Sequence, residues 1–125
     1  MHAPYGEEAE IREVTTHEAL QMQRVGSPVV DVREPEEFAD GHIPGAVNVP
    51  LGQLESGLHT HPEVVRRALA AHELRERPLV LYCLVGGRSA RGAAALRRLG
   101  YANPVSLAGG ILAWTENGHP IAGQK

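Results

Sequence analysis

Leu79-Val80-Leu81-Tyr82 is an unbroken apolar run that ends directly in Cys83, and two glycines and an alanine-rich stretch follow. Apolar residues in succession, bounded by loop-forming residues, predict a strand buried on both faces. Ser89 to Leu99 predicts a helix, with Arg97 and Arg98 suited to its C-terminal end and Gly100 just past it. A buried strand passing through a short loop into a helix needs partner strands beside it and cover above and below. A parallel sheet with helices on both faces supplies that.

The rest of the chain repeats the alternation. Ile11-Arg12-Glu13-Val14 alternates apolar and charged residues, as a short edge strand does. Thr15 and Glu18 form an expected capping box, opening a helix that runs to about Arg24. Pro28-Val29-Val30-Asp31-Val32 predicts a buried strand. Glu34-Pro35-Glu36-Glu37 places proline and acids where a helix begins. A rigid turn at 41–45, a strand at 46–49 and a brief helix at 51–55 follow. Pro62 and Glu63 open a longer predicted helix with Val64, Val65, Ala68 and Leu69 inward, and Pro104–Leu107 and Ile111–Glu116 complete the pattern as strand and helix. The expected organisation is a flexible leader over 1–10 and a single α/β domain over 11–123. Sites in such sheets form beyond the carboxyl ends of the strands, and Cys83 directly follows one.

Composition removes several function classes. The formal net charge of -3 argues against a general nucleic-acid binder. No apolar run approaches membrane-spanning length. Met1 to Glu10 is polar and acidic, unlike a secretory signal, so the expectation for a complete gene product is the cytoplasm. A single cysteine excludes an internal disulfide and a cysteine-based zinc cluster. A monomer is the default for so small a domain.

A free cysteine is often only a small buried hydrophobe. Cys83 differs in its setting: the end of a strand, Gly86 and Gly87 in the loop, Arg88, and a helix start. Unpaired amides and the helix dipole there stabilise a negative charge, which lowers a thiol pKa and makes the sulfur nucleophilic.

Cys83 to Ser89 has the form Cys-x-x-Gly-x-Arg-Ser, and this loop is similar to the active-site loop of the single-domain rhodaneses, a sulfurtransferase family. Asp31-Val32-Arg33-Glu34 with Glu37-Phe38 and Gly41-His42-Ile43-Pro44-Gly45-Ala46 resembles that family's upstream motif. Gly109-Gly110-Ile111, Ala113-Trp114 and Gly118-x-Pro120 resemble its C-terminal one. The resemblance implies a three-layer α/β/α sandwich with a five-stranded parallel sheet. It also implies a two-step reaction without metal or organic cofactor. Cys83 takes a sulfane sulfur from thiosulfate or a persulfide, and passes it to cyanide, a thiol or a partner protein.

Within that expectation, loop amides from Leu84 to Ser89 stabilise the thiolate, and Gly86 and Gly87 supply the positive φ angles of a concave backbone. Arg88 either bonds loop carbonyls from outside or binds the donor; Ser89 is expected to cap the helix rather than to meet the sulfur. Leu84 and Val85 at the mouth disfavour a hydrated dianion, a deficit that Arg91, one turn into the helix, is expected to offset. Asp31 and Arg33 are expected as a buried pair holding loops. His42 is expected to bond its own turn, Trp114 and Ile111 to pack the core, and His59 and His61 to lie in a solvated loop rather than ligate a metal.

Two other functions compete. A cysteine phosphatase or arsenate reductase needs five residues between cysteine and arginine to cradle a tetrahedral oxyanion, and this loop has Leu84, Val85, Gly86 and Gly87 only. A non-catalytic binding module of the same fold has no need of an intact cysteine loop.

Overall fold

The computed structural model describes residues 10–56 and 77–123. The predicted helix from Pro62, His59, His61 and almost all of the expected leader lie outside the described residues. Five strands form one parallel sheet: β1 (Glu13–Val14), β2 (Val29–Asp31), β3 (Val47–Asn48), β4 (Leu79–Tyr82) and β5 (Pro104–Leu107), in the spatial order β1-β5-β4-β2-β3. The described helices are α1 (Thr16–Arg24), α2 (Pro35–Asp40), α3 (Leu51–Ser56), α4 (Gly87–Arg98) and α5 (Gly110–Glu116). None is long and apolar enough to cross a membrane.

Local chemistry sets the boundaries. Thr15 and Glu18 close a reciprocal capping box at α1, each side chain meeting the other's backbone N–H at 3.1 and 2.8 Å. Pro35 stands first in α2, where its missing N–H has no partner to lose. Gly100, with φ +102°, ends α4 as expected.

Strand side chains alternate between two cores. Val30, Val32, Leu79, Leu81 and Cys83 face Leu51 and Leu54 of α3 and Ala93 to Leu96 of α4. Val29, Val80, Tyr82, Val105 and Leu107 face Ala19 of α1 and Ile111 and Trp114 of α5. The α/β/α sandwich is therefore the observed fold, and the apolar run at 79–82 is buried because each face has its own helical cover.

The layer above Cys83 is tight. A Cβ added at Gly92 would lie 3.1 to 3.3 Å from Leu81, Leu54 and Val32 side chains. Glycine at this point lets α4 settle close onto β4. Gly92→Val should lose about 2 kcal/mol of stability through overpacking. Urea unfolding would show this as a lower midpoint at unchanged slope.

Candidate functional site

The loop from Cys83 to Gly86 is shaped from behind. The amides of Ile111 and Leu112, in the first turn of α5, donate to the carbonyls of Cys83 and Leu84 at 2.9 and 3.3 Å. In a trans peptide C=O and N–H point in opposite directions. Drawing those two carbonyls towards α5 aims the following N–H groups, including that of Val85, the other way, into the loop. Gly110 makes the approach possible: its φ is +61°, and a Cβ there would collide with the Cys83 and Leu84 carbonyls. Gly86, with φ +124°, then turns the chain into α4.

The sulfur lies on the concave side, buried beneath α4. The amide of Gly86 donates to Sγ at 3.0 Å, and the thiol lies 3.7 Å from Ser89 Oγ. Burial raises the thiol pKa, while hydrogen bonds from the Ser89 amide and hydroxyl and from the Gly86 and Val85 amides lower it. The bonds win, and the pKa falls below the ordinary thiol value.

Three expectations about the loop require correction. Only Gly86 takes a positive φ; Gly87 has none and is the first residue of α4. Ser89 does not cap that helix. It lies three residues past the N-cap, Gly86, and its hydroxyl donates to the Gly86 carbonyl at 3.0 Å and meets Ser106 Oγ at 2.7 Å. Arg88 bonds Glu37 of α2, with N···O distances of 2.9 and 3.1 Å, rather than loop carbonyls. That pairing holds the Glu37 carboxyl below the usual carboxylate range.

Asp31 and Arg33 form the expected buried pair, at 2.8 Å, and Arg33 also donates to the Gly41 carbonyl. The pair ties the end of β2 to the end of α2, which carries Glu37. The His42 ring bonds a backbone group, but it is the Phe38 carbonyl of α2, met by Nδ1 at 2.8 Å, rather than one of its own turn; Trp114 packs in the core as expected. Arg91 does not reach the mouth; it is exposed and paired with Glu55 at 3.0 Å. Leu84 and Val85 remain at the surface, 40% and 60% exposed. A groove of about 230 Å³ runs between α2 and α5, lined by Glu37, Asp40, Ile111 and Leu112 among others. Sequence reasoning missed Glu37 as the partner of Arg88, and missed Ser106 altogether; nothing local in the sequence marks either contact.

A family model described as the rhodanese-like domain matches residues 15–117. The chain belongs to the rhodanese-like domain family. Among rhodanese-like relatives, the thiosulfate:glutathione sulfurtransferase of Homo sapiens is 38% identical over 88 residues, covering 69% of this chain and 76% of that protein. Thiosulfate sulfurtransferase 16, chloroplastic, of Arabidopsis thaliana is 33% identical over 103 residues, covering 82% and 85%. A solved structure from Rhodopseudomonas palustris, described as a protein of unknown function and possible tyrosine phosphatase, superposes with a TM-score of 0.72. It is 30% identical, with 93% of this chain and 88% of that one covered.

Two measurements check this geometry. The alkylation rate of Cys83 should rise with pH and level off at a lower pH than an ordinary cysteine requires, because the depressed pKa completes thiolate formation earlier. Gly110→Ala should lower stability by about 2 kcal/mol and move that alkylation profile to higher pH, since a displaced α5 releases the carbonyls that aim the loop amides. Thermal unfolding and iodoacetamide labelling read the two effects separately.

Proposed function

We propose that this protein is a sulfurtransferase in which Cys83 carries the sulfur. The observation that supports the reading best is a lone thiol enclosed by inward-facing amides in a loop with the Cys-x-x-Gly-x-Arg-Ser form. Its relatives named as sulfurtransferases support the same class of activity. In the first step the Cys83 thiolate attacks the sulfane sulfur of the donor. A bond forms between the two sulfurs, and the donor's own bond to that sulfur breaks with its electron pair, leaving sulfite when the donor is thiosulfate. In the second step a thiolate or cyanide attacks the outer sulfur of the persulfide, and the thiolate of Cys83 leaves. The same amides stabilise the thiolate before the first step and after the second.

The donor is the finer question. Two relatives are named for thiosulfate, which makes it the first donor to try. Around this mouth, however, the side chains of Leu84 and Val85 are apolar, Arg88 is held by Glu37 and Arg91 by Glu55. A hydrated dianion finds little compensation there. We therefore infer that thiosulfate serves weakly and that a protein or low-molecular persulfide is the natural donor, with an external thiol or protein as acceptor. A loop of four residues between Cys83 and Arg88, and an arginine turned to Glu37, favour a single sulfur over a phosphate group.

Intact mass before and after incubation with thiosulfate, then with a persulfide donor, tests the reading. Wild type should gain one sulfur atom, lose it on addition of cyanide, and Cys83→Ser should gain nothing. No gain from either donor leaves a binding module, and a phosphoryl adduct formed from a phosphate ester supports the phosphatase alternative. Glu37→Gln keeps an acceptor for the Glu34 amide but removes the charge facing Arg88. It should lower the Michaelis constant for thiosulfate by about threefold; steady-state assays with thiosulfate and cyanide give the value.

A further inference from the structure

Ser106 is fully buried on β5, in a strand whose neighbours Val105 and Leu107 face the opposite core. The parallel register sets it beside Leu81, two residues before Cys83 on β4, so its side chain emerges beneath the start of α4. There its hydroxyl meets Ser89 Oγ at 2.7 Å, and Ser89 Oγ in turn lies 3.7 Å from the Cys83 sulfur.

Counting protons assigns the direction of these bonds. Ser89 has one hydroxyl proton, and it goes to the Gly86 carbonyl at 3.0 Å. The short contact with Ser106 then requires Ser106 to be the donor. We propose that Ser106 is a positioning residue, holding Ser89 so that the Ser89 hydroxyl can turn and donate to the Cys83 sulfur once it ionises. This rests on the reading of Cys83 as the reacting thiol. On ionisation the thiol proton leaves to solvent and the Ser89 O–H rotates from the Gly86 carbonyl to Sγ; no covalent bond between heavy atoms changes. The Gly86 carbonyl still accepts from the Ala90 amide at 3.2 Å, so the rotation leaves no buried acceptor bare. Ser106 continues to donate to Ser89 Oγ, which makes the Ser89 proton a better donor through hydrogen-bond polarisation.

Arg88 of α4 is paired with Glu37 of α2, and Asp31 is paired with Arg33 at the end of β2. The α5 amides meet the Cys83 and Leu84 carbonyls, on the side of the loop away from the thiol, and β5 has no titratable side chain. None of these groups contacts Ser106 in the network described, so its removal alters the site through Ser89.

The test is the pH profile of Cys83 alkylation in Ser106→Ala and in the shape-matched pair Ser106→Thr and Ser106→Val. With one cysteine in the chain, label incorporation read by mass reports on this sulfur alone. The Ala and Val variants should move the midpoint upward by about half a pH unit, and Thr, which keeps the hydroxyl, should restore it. An unchanged midpoint in Ser106→Ala, or equal shifts in Thr and Val, overturns the proposal. Should Ser106→Ala fail to fold, the Thr and Val pair decides. Persulfide formation by the wild type is scored apart, so failure of sulfur transfer with the expected midpoints would discard the enzyme reading and not this one.

Discussion

The two hydrogen bonds from Ile111 and Leu112 to the carbonyls of Cys83 and Leu84 control the rest of the site. A loop leaving a buried strand has peptide groups that must find partners, and which side each group faces decides what the loop can hold. Here α5 takes the carbonyls, and peptide planarity sends the amides to the sulfur. The requirement reaches back into sequence at Gly110, whose missing side chain admits the two backbones to one another. It reaches forward to Gly86, where the chain must reverse through positive φ to begin α4. The depressed thiol pKa follows from this arrangement of neutral dipoles.

Charge plays a different part. Arg33, Arg88 and Arg91 lie around or near the loop, and each is bonded to a carboxylate, of Asp31, Glu37 and Glu55. The first pair is buried and orders the backbone between β2 and α2 through the added bond to Gly41. The second is half-exposed, so its contribution to stability is small while its influence on an approaching anion is direct. Stabilising a sulfur anion by amides and neutralising the cations nearby separates two tasks. The thiolate is favoured by the amides, and the cations nearby are already paired with carboxylates.

The fold was legible because its signals are local. Capping at Thr15, the proline of α2, the apolar run of β4 and the Gly100 stop each arise from a few adjacent residues, and each stands where the sequence places it. Cys83 at a strand end was legible for the same reason. The partners of the loop side chains were not. Arg88 and Glu37 are 51 residues apart and Ser89 and Ser106 are 17 apart. Their contact depends on strand order, which carries β5 to one side of β4 and β2 with its following helix to the other. Ser89 was misread because a serine near a predicted helix start suggests a cap, and the helix in fact begins earlier, at Gly87. Arg91 was misread because one turn along a helix rotates a side chain away as readily as towards a loop.

The central place of β4 also bears on how sulfur would move. Cys83 is almost wholly buried, whereas Leu84 and Val85 just beyond it are open to solvent. On the proposed reading a donor would have to present a narrow end to a thiolate at that depth, and the outer sulfur of a persulfide would be its more accessible atom. The outer atom then becomes the part an acceptor can meet, and the amides keep their hold on the inner one. On the proposed reading that division suits transfer: the inner sulfur, leaving as thiolate, would return to loop amides already in place. With no second cysteine in the chain, release on the proposed reading would fall to a nucleophile from outside. On that reading the exposed Leu84 and Val85, rather than the buried cradle, would be where an acceptor is met.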